Sequence, residues 1–289
     1  MRSKQIMKRR GFTLIELLVV ISIIALLMAI LLPILRRAKG AAMIAFCLSN
    51  THNLSVAWFM YTLENGGLLV GAMNGTSDNS EPRGRKYWYS WVTAPQNEAG
   101  ISVDYDDAST EDKLRGIERG LLFPYVKNVK VYHCPADPRY KRPPPSGAKS
   151  SAFRSYSIAG GMNGTLWVAA TKKLYHPCTV YAQIKAPAEK YVFVEDNDPR
   201  CFNVHCWEIE LTRPRWADAP ATWHYNKSNL GFADGHAETH RWMDKSTIEI
   251  GQAKTEDEIA RLINVDRPDG RDIAYMQKHY AAVPGRETD

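Results

Sequence analysis

The chain begins with an apolar run that is predicted to be a single long helix. Within residues 12–35 the only charged residue is Glu16, and within residues 17–32 the only polar side chain is Ser22. At about 1.5 Å of rise per residue, this run forms a helix of about 36 Å, longer than a bilayer core of about 30 Å. Because the run has no polar face, we expect it to span a membrane rather than to lie in the core of a soluble domain.

The helical pattern continues past the apolar run. Apolar or small side chains recur at steps of three and four from Ala38 to Tyr61, and Glu64-Asn65-Gly66-Gly67 predicts the end of the helix. A helix over residues 12–65 would be about 80 Å long. Residues 12–35 are the predicted transmembrane half, and residues 36–65 are predicted to continue outside the membrane and to pack on the rest of the chain.

Residues 66–289 are predicted to form one head of the α+β class, with an antiparallel sheet that packs on the long helix. The dipeptide Asp234-Gly235 predicts a hairpin with a two-residue turn, since this pair tolerates positive φ angles. Thr255 and Glu258 predict the capping box of a late helix. The predicted strands are residues 130–133, 154–158, 180–185, 190–195, 206–211 and, around the hairpin turn, 230–242.

The net charge of +6 is concentrated at the N-terminus. The first eleven residues contain five basic residues and no acidic one, and the rest of the chain has 32 basic and 31 acidic residues. A nearly neutral body has no broad surface for phosphate backbones, so no nucleic-acid partner is expected. A basic leader before an apolar run indicates targeting, with the leader in the cytoplasm and the head outside it. The basic residues of the leader are Arg2, Lys4, Lys8, Arg9 and Arg10.

Glu16 is the residue in the apolar run that most needs an explanation. A carboxylate in hydrocarbon costs several kcal/mol unless it has a partner, and the run itself contains no cation. Cleavage between Gly11 and Phe12 would create an α-amino group four residues before Glu16. The amine of a neighbouring copy could then neutralise this carboxylate and set the register of packed helices.

These residues carry a resemblance to a known family. Residues 8–20, with the sequence KRRGFTLIELLVV, resemble the N-terminus of type IV prepilins and type II secretion pseudopilins. In that family a basic leader is followed by Gly, Phe and an acidic residue at the fifth mature position, and a proline interrupts the apolar helix late, here Pro33. The resemblance implies that a prepilin peptidase cleaves after Gly11 and that Phe12 becomes N-methylated.

The same resemblance implies a structural role rather than an enzymatic one. The chain would be stored in the lipid bilayer of the inner membrane, and membrane machinery would assemble it with itself and other pilin-like subunits. The product would be a type II secretion or type IV pilus-like filament, which can reach the cell surface. Two alternatives remain: a single-pass anchored protein that binds a ligand or metal and does not polymerise, and an anchored hydrolase.

A second resemblance lies in the head. His224 is followed by nine residues and then by Asp234-Gly235, a pattern similar to the prepilin-type H-X9-DG domain. The resemblance supplies no biochemical role for this domain. From the residues alone, we expect His224 to bond the hairpin backbone or Asp234 and so to hold the sheet edge.

The cysteines are candidates for disulfides, with zinc as the alternative. Cys47 lies on the apolar face of the long helix and is predicted to be a packed thiol. In an oxidising space at least one disulfide is expected among the four head cysteines, with Cys201–Cys206 and Cys134–Cys178 as candidate pairs. Zinc ligand types are also present, although their spacing matches no standard zinc motif. They are His133-Cys134, His176 and His205-Cys206.

The aspartate, glutamate and histidine residues offer two further candidate metal sites. Asp196, Asp198 and Asp234 could supply the oxygen ligands that calcium prefers, although no twelve-residue calcium loop is present. A hydrolytic zinc site would need His224, His236 and His240 with Asp234 or Glu238. The chain has no H-E-x-x-H motif and no nucleophile elbow, so no catalytic residue is predicted.

Overall fold

The computed structural model of the chain describes residues 13–74, 90–142, 144, 147–166, 173–201, 206–263 and 265–285. Its longest element is helix α1, Leu14–Glu64, which runs through Pro33 without a break. Gly66 and Gly67 have positive φ angles of 65° and 84°, which glycine adopts at little cost. The Gly67 amide donates to the carbonyl of Thr62 at 2.8 Å, as in a Schellman motif. The helix end predicted from the sequence is therefore confirmed.

The chain divides into two compact units between Ala42 and Met43, inside α1. In the first unit, the apolar side chains of residues 14–35 are exposed. Within the described part of the chain, α1 is the one helix long and apolar enough to cross a membrane, with a mean hydropathy of 3.2 over its most apolar window. These side chains are therefore available to contact lipid or other helices.

The second unit, Met43–Asp289, is the α+β head, and its sheets are antiparallel. The described strands are β1 Tyr156–Ile158, β2 Tyr175–His176, β3 Tyr191–Glu195, β4 Ile209–Glu210, β5 Arg215–Trp216, β6 Lys227–Phe232, β7 Ala237–Arg241 and β8 Val283–Pro284. The main sheet has the order β1-β3-β6-β7, while β2 pairs with β8 and β4 pairs with β5. The predicted fold class is confirmed.

The shorter α-helices of the described head are α2 Thr110–Glu118, α3 Phe123–Val126, α4 Lys245–Gln252, α5 Glu256–Ile263 and α6 Arg271–His279. Half of the predicted capping box before α5 is confirmed, because the Glu258 amide donates to Thr255 Oγ1 at 3.2 Å. The Glu258 carboxylate accepts from the Lys254 amide at 2.7 Å, one residue before the predicted cap. Two predicted strands are wrong, because their apolar runs form the 3-10 helices Val129–Tyr132 and Tyr181–Gln183.

The hairpin between β6 and β7 is confirmed, but its turn is longer than predicted. The Gly235 amide donates to the Phe232 carbonyl at 3.0 Å, and the Phe232 amide donates to the His236 carbonyl at 2.8 Å. Only Gly235 has a positive φ, of 97°. The connection is therefore a three-residue loop with glycine in the left-handed position rather than a two-residue turn.

The core lies between the main sheet and the second half of α1. Leu54 and Trp58 of α1 are fully buried, and Tyr61 is nearly so. Gly231 of β6 faces Ser55, and a side chain at Gly231 would overlap the Ser55 hydroxyl. The backbone of β6 at Gly231 therefore lies so close to α1 that no side chain fits between them. Among the described residues, the buried indoles of the core are those of Trp58, Trp91, Trp207, Trp216 and Trp242.

Candidate functional site

The N-terminus of α1 is closed by a capping box. The Thr13 amide and hydroxyl both donate to Glu16 Oε2, at 2.9 and 2.8 Å, and the Glu16 amide donates to Thr13 Oγ1 at 3.2 Å. This arrangement satisfies backbone donors that the first turn would otherwise leave unpaired. Glu16 therefore finds hydrogen-bond partners in its own chain, which the sequence did not predict. These partners are neutral, and no ion pair of Glu16 is formed among the described residues.

The other predicted processing and assembly residues are Gly11, Phe12 and Pro33. Gly11 and Phe12 lie outside the described residues. Pro33 lies inside α1 and is exposed. Since proline lacks an amide hydrogen, one hydrogen bond of the helix is missing at this position. The helix nevertheless continues to Glu64, so Pro33 does not end it.

His224 lies at the start of a tight turn that leads into β6. Its amide donates to the Lys227 carbonyl at 3.3 Å, and the two central residues, Tyr225 and Asn226, have positive φ angles of 55° and 60°. Two successive residues with positive φ reverse the chain here, and asparagine adopts this left-handed conformation more readily than most residues. The turn buries the His224 side chain and leaves Tyr225 exposed.

The His224 imidazole contacts a carboxylate and a thiol rather than the hairpin. His224 Nε2 lies 3.1 Å from Glu195 Oε1 and 3.3 Å from Cys134 Sγ. Asp234, the other polar member of the H-X9-DG pattern, bonds His236 instead, with 2.5 Å between Asp234 Oδ1 and His236 Nδ1. The expected bond between His224 and Asp234 or the hairpin backbone is thus replaced by contacts with residues that the pattern does not contain.

A fourth side chain completes this group. Cys47, on α1, places its Sγ 2.8 Å from Cys134 Sγ. One ligand atom from each of the four side chains lies within 4.8 Å of the others. We call Cys47, Cys134, Glu195 and His224 the Cys–Glu–His cluster. All four are buried, with at most 2% of each residue exposed.

The cluster perturbs the protonation of its members. A hydrogen bond from the Cys134 thiol lowers the pKa of Cys47 to about 7, because it stabilises the thiolate. Burial raises the pKa of Cys134 well above its usual range. Burial alone would lower the pKa of His224, but its hydrogen bonds to Cys47 and Glu195 more than offset this and raise it. One thiolate beside an imidazolium is therefore favoured in this interior.

Neighbouring groups hold the cluster in place. Asn229 donates to both oxygens of Glu195: its backbone amide donates to Oε2 at 3.1 Å, and its side-chain Nδ2 donates to Oε1 at 3.3 Å. The Cys134 amide donates to Ser155 Oγ at 3.0 Å, and this hydroxyl donates to Asp137 Oδ2 at 2.7 Å. Asp137 in turn forms a buried ion pair with Arg139 at 2.8 Å. Glu195 and Cys134 are therefore oriented by fixed partners.

The three aspartates considered for calcium are not brought together. Tyr191 at the start of β3 pairs with Phe232, so the turn with Asp234 lies at that end of the strand. Asp196 follows the other end, about 16 Å away at the rise of a strand. Asp196 accepts from Ser157 Oγ at 2.8 Å, and Asp198 forms an ion pair with Arg200 at 2.9 Å.

The remaining cysteines and histidines lie apart from the cluster. All five cysteines are free thiols, and Cys178, Cys201 and Cys206 donate to the carbonyls of Gln183, Pro199 and Thr165. His240 stacks on Tyr275, so the hydrolytic set with His224 and His236 does not converge. His133 accompanies Cys134 in sequence, but its Nδ1 contacts the Phe153 carbonyl at 2.7 Å. His176 lies on β2, and His205 lies outside the described residues.

Comparison with known proteins identifies the N-terminal segment. A family model described as the prokaryotic N-terminal methylation motif matches residues 6–32. No curated protein and no solved structure matches the chain. The match ends well before His224, so the H-X9-DG resemblance of the head stays a prediction. Residues 6–32 therefore give the chain the N-terminus of a prepilin-type protein, with the methylation motif at the start of its long apolar helix.

Proposed function

We propose that the chain is a pilin-like or pseudopilin-like structural subunit. A prepilin peptidase cleaves it after Gly11, and the mature helix assembles into a type II secretion or type IV pilus-like filament. The observation that carries this proposal is the methylation motif at residues 6–32, which includes the first part of the exposed apolar half of α1. No catalytic role is assigned to any residue.

The exposed first half of α1 suits both locations that the proposal requires. Burial of one large apolar side chain is worth about 1.5–3 kcal/mol, so exposure of the whole segment to water would cost tens of kcal/mol. Lipid removes this cost before assembly, and contact with the helices of other subunits removes it in the filament. The same surface therefore serves storage in the membrane and lateral packing.

The leader sets the direction of insertion in this proposal. Its five positive charges favour the cytoplasm, which leaves the head on the other side of the inner membrane. The partners are the prepilin peptidase, the lipid bilayer, the inner-membrane assembly machinery, and other copies of this chain or related subunits. Nucleic acid is not among them, because the chain outside the leader is almost neutral.

Mass spectrometry of the mature N-terminus tests the proposal. The wild-type chain, isolated from a host with its prepilin peptidase, should begin at Phe12 and carry one methyl group on the α-amino nitrogen. Gly11→Ala should leave the chain uncut, because the peptidase is expected to require glycine before the cut. Ser3→Ala is the matched control, since it changes the leader but leaves Gly11 in place. A wild-type chain that begins at Met1, or normal cleavage of Gly11→Ala, would contradict the proposal.

A second candidate is an anchored protein that binds a metal or ligand and does not polymerise. The Cys–Glu–His cluster favours it, because four buried side chains of metal-ligand type converge in the head. Cysteine crosslinking between helices of neighbouring chains in membranes separates the two candidates. Ladders of crosslinked subunits indicate assembly, whereas a processed chain that stays monomeric when its assembly machinery is present indicates the anchored protein.

A further inference from the structure

The Cys–Glu–His cluster is assembled from four distant parts of the head. Cys47 comes from α1, Cys134 follows the 3-10 helix Val129–Tyr132, Glu195 ends β3, and His224 begins the turn before β6. Thiolate, imidazole and carboxylate are the three ligand types that zinc takes in proteins. We infer that these four side chains bind one zinc ion inside the head.

The distances between the side chains support this assignment. Neighbouring donor atoms lie 2.8, 3.3 and 3.1 Å apart along the series Cys47, Cys134, His224 and Glu195. In a tetrahedral site with Zn–S near 2.3 Å and Zn–N or Zn–O near 2.0–2.1 Å, adjacent donors are roughly 3.3–3.8 Å apart. Shifts of about 1 Å would therefore make room for the ion, with no change in the backbone elements.

A metal ion also explains why these groups are buried together. An isolated carboxylate or thiolate is costly in a protein interior, and buried charges are usually paired or bound to metal. Glu195 is fully buried, and its carboxylate lies within 4.8 Å of the imidazole and the two sulfurs of the cluster. A divalent cation bound by two thiolates, this carboxylate and a neutral imidazole would neutralise the negative charge that the interior holds.

The supporting contacts are those expected around a metal ligand. Residues that bind metal are usually oriented by hydrogen bonds from a surrounding layer of side chains. Here Asn229 holds both oxygens of Glu195, and Ser155 holds the backbone of Cys134. A disulfide between Cys47 and Cys134 would account for the two sulfurs and would leave Glu195 paired with His224 and Asn229, but it would not account for the 3.3 Å contact between His224 Nε2 and Cys134 Sγ.

The donor set indicates the kind of metal and its role. Two thiolates and an imidazole are soft or borderline ligands that favour zinc, whereas calcium takes oxygen ligands. Four protein ligands close the coordination sphere, which is typical of structural rather than catalytic zinc. The ion would join the second half of α1 to β3 and to two loops, and so would fix the helix in the head.

Metal analysis of the full-length chain, purified in detergent without chelator and with zinc supplied, tests the inference. The wild-type chain should contain about one zinc ion. Cys134→Ser and His224→Gln should lower the zinc affinity at least tenfold, seen as loss of zinc to a competing chelator, because loss of a ligand exceeds the roughly 10–100-fold effect of a lost supporting group. Cys178→Ser is the matched control: it removes a buried free thiol outside the cluster and should keep the ion.

Cobalt substitution tests the inference on the wild-type chain, so the result does not depend on whether the variants fold. When zinc in the wild-type chain is replaced by Co²⁺, the spectrum should show thiolate-to-cobalt charge transfer and the intense visible bands of tetrahedral coordination. A wild-type chain that takes up neither ion, or that contains a Cys47–Cys134 disulfide by peptide mapping, would overturn the inference. Cleavage and assembly are measured separately, so failure here would leave the proposed function untouched.

Discussion

Glu16 has two separate roles, one as a hydrogen-bond acceptor that caps α1 and one as a negative charge. Its side chain accepts hydrogen bonds from Thr13 and so caps α1, and it also carries a negative charge in an otherwise apolar segment. Capping needs only an acceptor at this position, and glutamine supplies one. Pairing with the new amino group of a neighbouring subunit needs the charge. The two roles can therefore be separated by substitution.

We expect Glu16→Gln to insert into the membrane and to be cleaved normally, but to lose assembly as completely as Glu16→Ala. The reason is that glutamine keeps the cap, whereas neither variant can neutralise an amine in hydrocarbon. Crosslinking of subunits in membranes, with the mature mass as a control for cleavage, measures the effect. If Glu16→Gln assembles at wild-type yield while Glu16→Ala does not, the cap rather than the charge sets the helix register.

The contrast between Glu16 and the Cys–Glu–His cluster shows which residues a sequence can identify. Glu16 stands out because its neighbours along the helix are apolar, and its contact with Thr13 is three residues away. Cys47 and Cys134 are 87 positions apart, and Glu195 and His224 are 29 apart. No spacing rule relates such residues, because the tertiary packing of α1 and β3 brings them together. The sequence singles out His224, Cys47 and Cys134 for separate reasons, but it does not relate them to one another or point to Glu195.

At the scale of elements, the sequence predicted the end of α1 and the position of the hairpin better than it predicted the strands. The end of α1 and the β6–β7 hairpin follow from glycines that adopt positive φ, a property of the residues themselves. Residues 130–133 and 180–185 were predicted as strands from short apolar runs, but most of the first run and half of the second lie in 3-10 helices. Such runs do not distinguish a strand from a helical turn, and their packing against the core decides the outcome.

The contact between β6 and α1 gives a prediction at this scale. Gly231→Ala should destabilise the head by roughly 1–3 kcal/mol, because the added methyl group overlaps Ser55 Oγ and lies 3.0 Å from Thr51 Cγ2. In a Ser55→Ala background the destabilisation by Gly231→Ala should be smaller, because Ser55 Oγ, the atom that the added methyl group overlaps, is absent. Thermal or denaturant unfolding of the four chains measures this coupling. Equal costs in both backgrounds would show that helix and strand are not in close contact there.

At the scale of the whole molecule, the head begins inside the helix rather than after it. The sequence predicted a head of residues 66–289 behind a helical continuation of residues 36–65. The structure groups the helix from Met43 onward in the same compact unit as the sheets. Leu54 and Trp58 are fully buried there. The sequence predicted that the sheet packs on this half of the helix, and the buried side chains make the helix part of the core of the head.

Two fragments that both lack the apolar half of α1 test this dependence. We expect residues 43–289 to fold in water, with a cooperative thermal transition and near-ultraviolet circular dichroism from packed aromatic rings. Residues 66–289 should not fold, because they lack Leu54, Trp58 and Tyr61. Deletion of each large buried side chain costs about 2–5 kcal/mol, so the sum approaches or exceeds the total stability of about 5–15 kcal/mol of an ordinary domain. A cooperative transition of similar midpoint in both fragments would show that α1 is an attachment to the head rather than part of its core.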